Sequence, residues 1–274
     1  MRLVTFIAIS QLSAILAAHA AVVAPYTNDF SGSGSNVALP NESTDAQWNV
    51  VDGSYINSYS VTSGTASSAS IDITNLDGVS FTMSTQFTMT SATAPNSNNA
   101  SQIGFGAFSS AAGFLNTASD SYYLADFTYS ANNLQSGNPL GTLRIVSLQA
   151  GSNPDFSSTL GLAVASGSAA NFALVLNTTY TLQLTGTVTG GVLSMSLSLL
   201  DATGTIQIGT SATATDATPL TGDYFGYRDR LGAGGAMSVA YDNLSIVPEP
   251  SICVLAAIGL GLVLVTRRRT LIRR

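Results

Sequence analysis

Lysine is absent from all 274 residues, and histidine and cysteine occur once each. His19 lies in an apolar N-terminal stretch and Cys253 in an apolar C-terminal one. The long segment between them has no imidazole, thiol or ε-amine. That excludes imidazole bases, thiolate nucleophiles, Schiff-base lysines and the usual zinc ligands. It also excludes a disulfide framework, so stability must come from a large apolar core. Charge is scarce too, and its two signs are segregated. All nine basic residues are Arg, and six of them (Arg2, Arg267, Arg268, Arg269, Arg273, Arg274) lie at the ends. From Ala21 to Val247 only Arg144, Arg228 and Arg230 remain against fourteen acids, a net charge of −11. A surface of that sign repels phosphate backbones and speaks against nucleic acid as a partner. Divalent cations and neutral glycans are compatible with it.

Both ends read as targeting segments. Met1-Arg2, an apolar run from Leu3 to Ala18 and the small residues of Ala18-His19-Ala20 predict a secretory signal peptide over residues 1–20. At the other end stand Pro248-Glu249-Pro250-Ser251, an apolar run from Ile252 to Val265, and Thr266-Arg267-Arg268-Arg269. The arginines hold the cytoplasmic side as a stop-transfer signal. As a helix the run spans ~21 Å, against a hydrocarbon core of ~30 Å, which suits a transient tether. With its tripeptide Pro248-Glu249-Pro250, this tail resembles the PEP-CTERM sorting signals. The resemblance implies an inner-membrane-tethered precursor held by a C-terminal transmembrane helix. An exosortase-type enzyme would then process it and deliver it to the cell surface or an exopolysaccharide matrix. The expected organisation is a signal peptide over 1–20, one domain over 21–247 and a sorting signal over 248–274.

The middle segment alternates with period two. From Val79 to Met89 the odd positions are Val, Phe, Met, Thr, Phe and Met, and the even ones Ser, Thr and Gln. Such a pattern predicts a half-buried strand. Leu193, Met195, Leu197 and Leu199 alternate with serines, and Tyr180, Leu182 and Leu184 with Thr181 and Gln183. These two runs flank Gly186 to Gly191 and predict an antiparallel pair. Shorter strands are expected at Ile103–Phe108, Tyr122–Tyr129, Leu143–Leu148 and Tyr224–Arg228, with loops at Ala94–Ala100 and Asn132–Pro139. Near the end Met237, Val239 and Tyr241 share one face before Leu244 and Ile246 take it over. The phase slips at Asp242-Asn243, as at a β-bulge. Many short strands predict an all-β, two-sheet antiparallel jelly-roll sandwich, with helices only in the signal peptide and the membrane tail.

Several segments resemble the concanavalin A-like, LamG-type jelly rolls: Asp29-Phe30-Ser31-Gly32, Trp48 to Tyr55, Asn177 to Leu182, Gly222 to Arg228 and Tyr241 to Ile246. The resemblance implies two curved sheets and, often, glycan binding. It also implies a structural Ca2+ joining the first and last strands, here at Asp29, Asp242 and Asn243, with Asn28 beside them. A bulge at Asp242 would offer its carbonyl to such an ion.

Catalysis has little to work with. Glycosidases need two carboxylates about the scissile bond, and the middle segment holds a single Glu, Glu42. The pairs Asp72/Asp77 and Asp223/Asp229 read as solvated loop carboxylates, although an Asp-only glycoside-active enzyme stays open as an alternative. For sugar binding, Tyr227, Arg228 and Asp229 stand out because charges interrupt an apolar strand, whereas Trp48 reads as core. The expected function is a non-catalytic exported surface or matrix protein in contact with glycan or exopolysaccharide. A structural adhesin is the other alternative.

Overall fold

Period-two alternation buries one face of each strand, and here two such faces close on each other. The computed structural model describes residues 22–32, 38–39, 48–51, 53–60, 66–93, 100–112, 114, 121–135, 137–148, 172–232 and 236–249. The expected signal peptide, Pro250, the apolar run and Arg267, Arg268 and Arg269 lie outside these residues. Among the described residues there is no helix, and hence none that could cross a membrane.

In chain order the strands are β1 (Val22–Val23), β2 (Tyr26–Asn28), β3 (Trp48–Val51), β4 (Ser54–Ser60), β5 (Ala66–Thr74), β6 (Phe81–Ala92), β7 (Ala100–Ser109) and β8 (Tyr122–Gln135). They continue with β9 (Asn138–Leu148), β10 (Phe172–Ala173), β11 (Thr179–Thr189), β12 (Val192–Asp201), β13 (Ala212–Asp216), β14 (Tyr224–Arg230) and β15 (Ala236–Pro248). One sheet runs β1-β5-β14-β7-β8-β9-β10, and the other β13-β12-β11-β6-β15-β4-β3 with β2 beside β15. Only β1 against β5 is parallel among the described pairings. The architecture is the two-sheet antiparallel jelly-roll sandwich that the alternation predicts.

Register follows from side-chain pattern and turn chemistry. β11 and β12 pair from Tyr180↔Asp201 to Thr189↔Val192. Gly190 and Gly191 close that hairpin with φ of 58° and 81°, left-handed values that favour glycine at both centres of a tight turn. The segment Asn132–Pro139 is not a loop as expected. Leu134 pairs with Pro139 and Gln135 with Asn138, so the β8–β9 hairpin carries its ladder on to that turn.

Inward residues from both sheets form one core, including Phe81, Met83, Phe87 and Met89 of β6 and Phe225 and Tyr227 of β14. Trp48 belongs to it, its indole N–H donating to Ser67 Oγ. The slip at Asp242-Asn243 is a bulge. Asp242 pairs with Gln86 and Ser245 with Ser84, so β15 holds one residue more than β6 there. Asn243 takes the strained position with φ 51°. Leu244 and Ile246 thereby regain the core that Tyr241 faced.

β15 also takes up Pro248, the start of the tripeptide expected to act in sorting. Pro248 pairs with Phe81. The Glu249 N–H donates to the Ser80 carbonyl at 2.7 Å, and the Thr82 hydroxyl donates to Glu249 Oε1 at 2.6 Å. The sandwich's bonding therefore runs two residues past Val247.

Candidate ligand-binding face

The expected trio Tyr227, Arg228 and Asp229 does not form one surface site, because successive residues of a strand point to opposite faces. All three are fully buried. Tyr227 points inward, its ring 4.2 Å from that of Tyr241 and 5.9 Å from that of Trp48, centre to centre. Burial pushes its hydroxyl well above the usual tyrosine pKa. Asp229 also points inward and accepts the Tyr241 hydroxyl at 2.6 Å, so it is no solvated loop acid. Arg228 alone projects from the outer face of the seven-stranded sheet.

That outer face is half apolar and half polar. Phe114, Tyr122, Leu124 and Leu148 form a small second core at one end. At the other, register lines up polar residues from four strands. Arg228 pairs with Ser68 and Arg230 with Gln102. Gly104 pairs with Asp126, and Asp126 with Arg144. Arg144 grips Asp126 with two parallel bonds, Nε to Oδ1 at 2.7 Å and Nη2 to Oδ2 at 2.8 Å. Such a fork is the strongest geometry for an ion pair, and it occupies both oxygens of a fully buried carboxylate.

Arg228 is bound differently. Its Nε donates to the Phe114 carbonyl at 2.8 Å and its Nη1 to Gln102 Oε1. The same carbonyl accepts the Tyr122 hydroxyl at 2.8 Å, so Phe114 is latched onto this face from two strands. Arg228 Nη2 and Gln102 Nε2 are buried without a hydrogen-bond partner. An unmet buried donor costs about 1–3 kcal/mol, so this pair is a costly point in the packing of the face. Among the described residues no pair of unengaged carboxylates accompanies them.

Asp72 stands at the far edge, paired in register with Tyr224. Its Oδ1 is buried and unpartnered. Desolvation first and then the nearby Asp223 charge push its pKa up. A carboxyl raised in the folded state contributes stability that is complete below the unfolded pKa and lost as pH rises through the folded one. Asp72→Asn should therefore melt about 2 °C above the parent at neutral pH. Melting curves recorded towards acid should show that advantage vanish.

The second candidate is the corner where β2 meets β15. Asn28 pairs with Leu244, which brings Asp29 alongside Asn243. A shallow depression of about 290 Å3 there is lined by Thr27, Asn28, Asp29, Asn243, Leu244 and Ser245. Asp29 Oδ1 accepts the Ser31 N–H at 3.0 Å, which lowers its pKa. Asp242 is raised by desolvation and by Asp29. The expected free carbonyl of Asp242 is not free, because the Thr85 hydroxyl donates to it at 2.8 Å. Asn28 turns inward, its Oδ1 accepting the Phe30 N–H at 2.8 Å. Among the described residues no three acids, histidines or cysteines gather to hold a metal. Calcium takes about six to eight oxygens. Two carboxylates and an amide fit only a weakly held ion completed by water.

Gln102 and Arg144 were not singled out by their sequence context. The available signal was phase: Asp126 and Arg144 interrupt Ala125/Phe127 and Leu143/Ile145, just as Arg228 interrupts Tyr227/Asp229.

No family model and no curated protein matches the chain. Among solved structures it is similar to a legume lectin-like domain from Entamoeba histolytica, with TM-score 0.45, 11% identity, and 74% of this chain and 87% of that one covered. It is similar to the potassium-bound carbohydrate recognition domain of Emp46p, with TM-score 0.45, 12% identity and coverages of 78% and 97%. It is likewise similar to lectin I from Ulex europaeus in complex with the methyl glycoside of α-L-fucose, with TM-score 0.44, 13% identity and coverages of 81% and 97%. These are likenesses of fold.

Proposed function

We propose that this chain is an exported, non-catalytic glycan-binding protein of the cell surface or extracellular matrix, and that it meets its glycan on the outer face of the seven-stranded sheet. The observation that carries the reading is the row of polar side chains that register assembles on that face, Arg228, Gln102, Asp126 and Arg144, open to solvent at its β9 end through Thr142 and Arg144. Sugar hydroxyls bond to polar groups of that kind. The absence of His, Lys and Cys from the domain, with both Asp126 oxygens engaged by Arg144, supports binding without turnover.

The sorting tail supplies the address in this reading. The precursor is held by its C-terminal membrane segment, and an exosortase-type enzyme acts at Pro248-Glu249-Pro250, with Arg267, Arg268 and Arg269 on the cytoplasmic side. The experiment is retention of the full chain, in detergent, on columns of neutral and acidic polysaccharides, with reducing ends assayed in the eluate. Retention without new reducing ends is expected. A folded sample that passes every column would remove the glycan reading and leave a structural adhesin. New reducing ends would favour the enzyme.

Asp29, Asp242 and Asn243 would hold a weak structural Ca2+ in the same reading. Calcium should then raise the melting temperature by about 2 °C, and Asp242→Asn should abolish the increment. An identical response in parent and variant would place the ion elsewhere.

A further inference from the structure

We infer that the sandwich restrains its own sorting tripeptide: Pro248 and Glu249 latch the end of β15 to β6, and that end must come off before a processing enzyme can take it. The inference rests on the sorting reading above and concerns how access to that motif is controlled.

The last strand does not stop short of the motif. Pro248 stands opposite Phe81 in the β15–β6 ladder. Glu249 adds one more rung, its N–H donating to the Ser80 carbonyl at 2.7 Å. Its side chain leans back over β6, where Oε1 accepts the Thr82 hydroxyl at 2.6 Å. A hydroxyl that donates to a carboxylate makes a charge-assisted bond, stronger than one between neutral groups. Glu249 is exposed, so bonding rather than burial supplies the restraint.

The strand that receives these bonds is itself fixed. The Val79 N–H donates to the Leu76 carbonyl at 3.1 Å, closing the turn that leads into β6. Ser80 Oγ accepts the Val188 N–H at 2.9 Å, which ties this end of β6 to β11. Glu249 thereby joins Thr82, Thr185 and Thr187 in the wall of an open groove of about 700 Å3 along the two strands.

Neither edge of the latched segment suits an enzyme that grips an extended peptide by pairing with its backbone. In an antiparallel ladder the backbone groups of successive residues point to alternate sides. The Glu249 N–H points to β6 and is used there, so the backbone groups of Pro248 point the other way. On that side, among the described residues, β2 pairs only with Leu244 to Ile246. Proline has no N–H to offer an added strand, which blunts this edge. The segment must therefore peel from β6, and processing is paced by how often the strand end opens.

Two measurements on the full chain test the latch. One variant carries Gly-Ser-Gly-Ser inserted between Val247 and Pro248, which moves the tripeptide off the sheet. The other, Thr82→Val, removes one bond to Glu249, keeps a β-branched side chain and leaves the distance to the membrane segment unchanged. In detergent, hydrogen exchange of the Glu249 amide should be about tenfold slower in the parent than in the insertion variant. In pulse-labelled cells that carry an exosortase-type enzyme, the insertion should speed processing about tenfold and Thr82→Val about threefold. Equal exchange in parent and insertion variant would remove the latch. Slow exchange with equal processing of all three chains would mean that the enzyme takes the tripeptide in place, and would overturn the restraint. Faster processing of the insertion variant alone would assign the effect to crowding by the domain and overturn it too. No processing of any chain, with the amide still slow, would remove the sorting reading and this inference with it.

Discussion

Tyr227→Ala should lose about 3–5 kcal/mol of unfolding free energy, the usual cost of removing a large aromatic from a packed core. Tyr227 is the residue through which the two sheets meet. Its ring stacks on Tyr241 at 4.2 Å and lies 6.2 Å from Phe105 and from Tyr55, so rings from both sheets lose a partner at once. The hydroxyl has its own role, at 2.8 Å from the Thr85 hydroxyl, which also reaches the Asp242 carbonyl. One chain of bonds thus links the core to the bulge. Tyr227→Phe keeps the ring and loses that link, and should cost only about 1 kcal/mol. Urea unfolding of the three proteins separates the two contributions. A loss below about 1 kcal/mol for Tyr227→Ala would be incompatible with a central stack of this kind.

Gly104→Ala should be nearly as damaging although it adds one methyl group. A Cβ at this position would sit 2.2 Å from the Ala125 carbonyl oxygen and 2.6 Å from the Asp126 Cα. Both are backbone atoms of β8, so no side chain can swing aside. β7 must instead part from β8 where Gly104 pairs with Asp126. Overpacking usually costs about 1–3 kcal/mol, and the upper end is expected here. The displacement also shifts Asp126 beneath Arg144 and should weaken any ligand held on that face. Gly53→Ala offers the contrast. Its φ of 78° is left-handed but no atom lies within 4 Å of the added methyl, so only conformational strain of ~1 kcal/mol remains. Equal stability of the two variants would contradict the close β7–β8 approach.

The half-buried strands were legible because they alternate cleanly. β6, β11 and β12 carry apolar residues at every second position, and the slip at Asp242-Asn243 marks the bulge in the sequence itself. β5 was not legible. Its Ala-Ser-Ser-Ala-Ser opening has no apolar stripe, because its outer residues Ser68 and Ser70 are as completely buried as its inward Ser67 and Ala69. Ser68 is occupied in accepting the Phe114 N–H at 3.3 Å. The site was legible in part. Charged residues interrupting β14 pointed to the right strand, but reading Tyr227, Arg228 and Asp229 as a patch ignored the period that identified the strand. Gln102 and Arg144 escaped notice because their meaning lies in register, which joins residues far apart in sequence.

The most direct test of where the ligand sits is hydroxyl-radical footprinting of the full chain, with and without a saturating polysaccharide that the columns retain. Tyr224 and Val146 lie partly exposed on the outer face of the seven-stranded sheet, whereas Ile206, 64% exposed, lies beyond β12 of the other sheet. Oxidation of Tyr224 and Val146 should fall on binding while that of Ile206 stays constant. Protection at Ile206 or at the Thr27–Leu244 corner, with Tyr224 and Val146 unchanged, would contradict the assignment of this face.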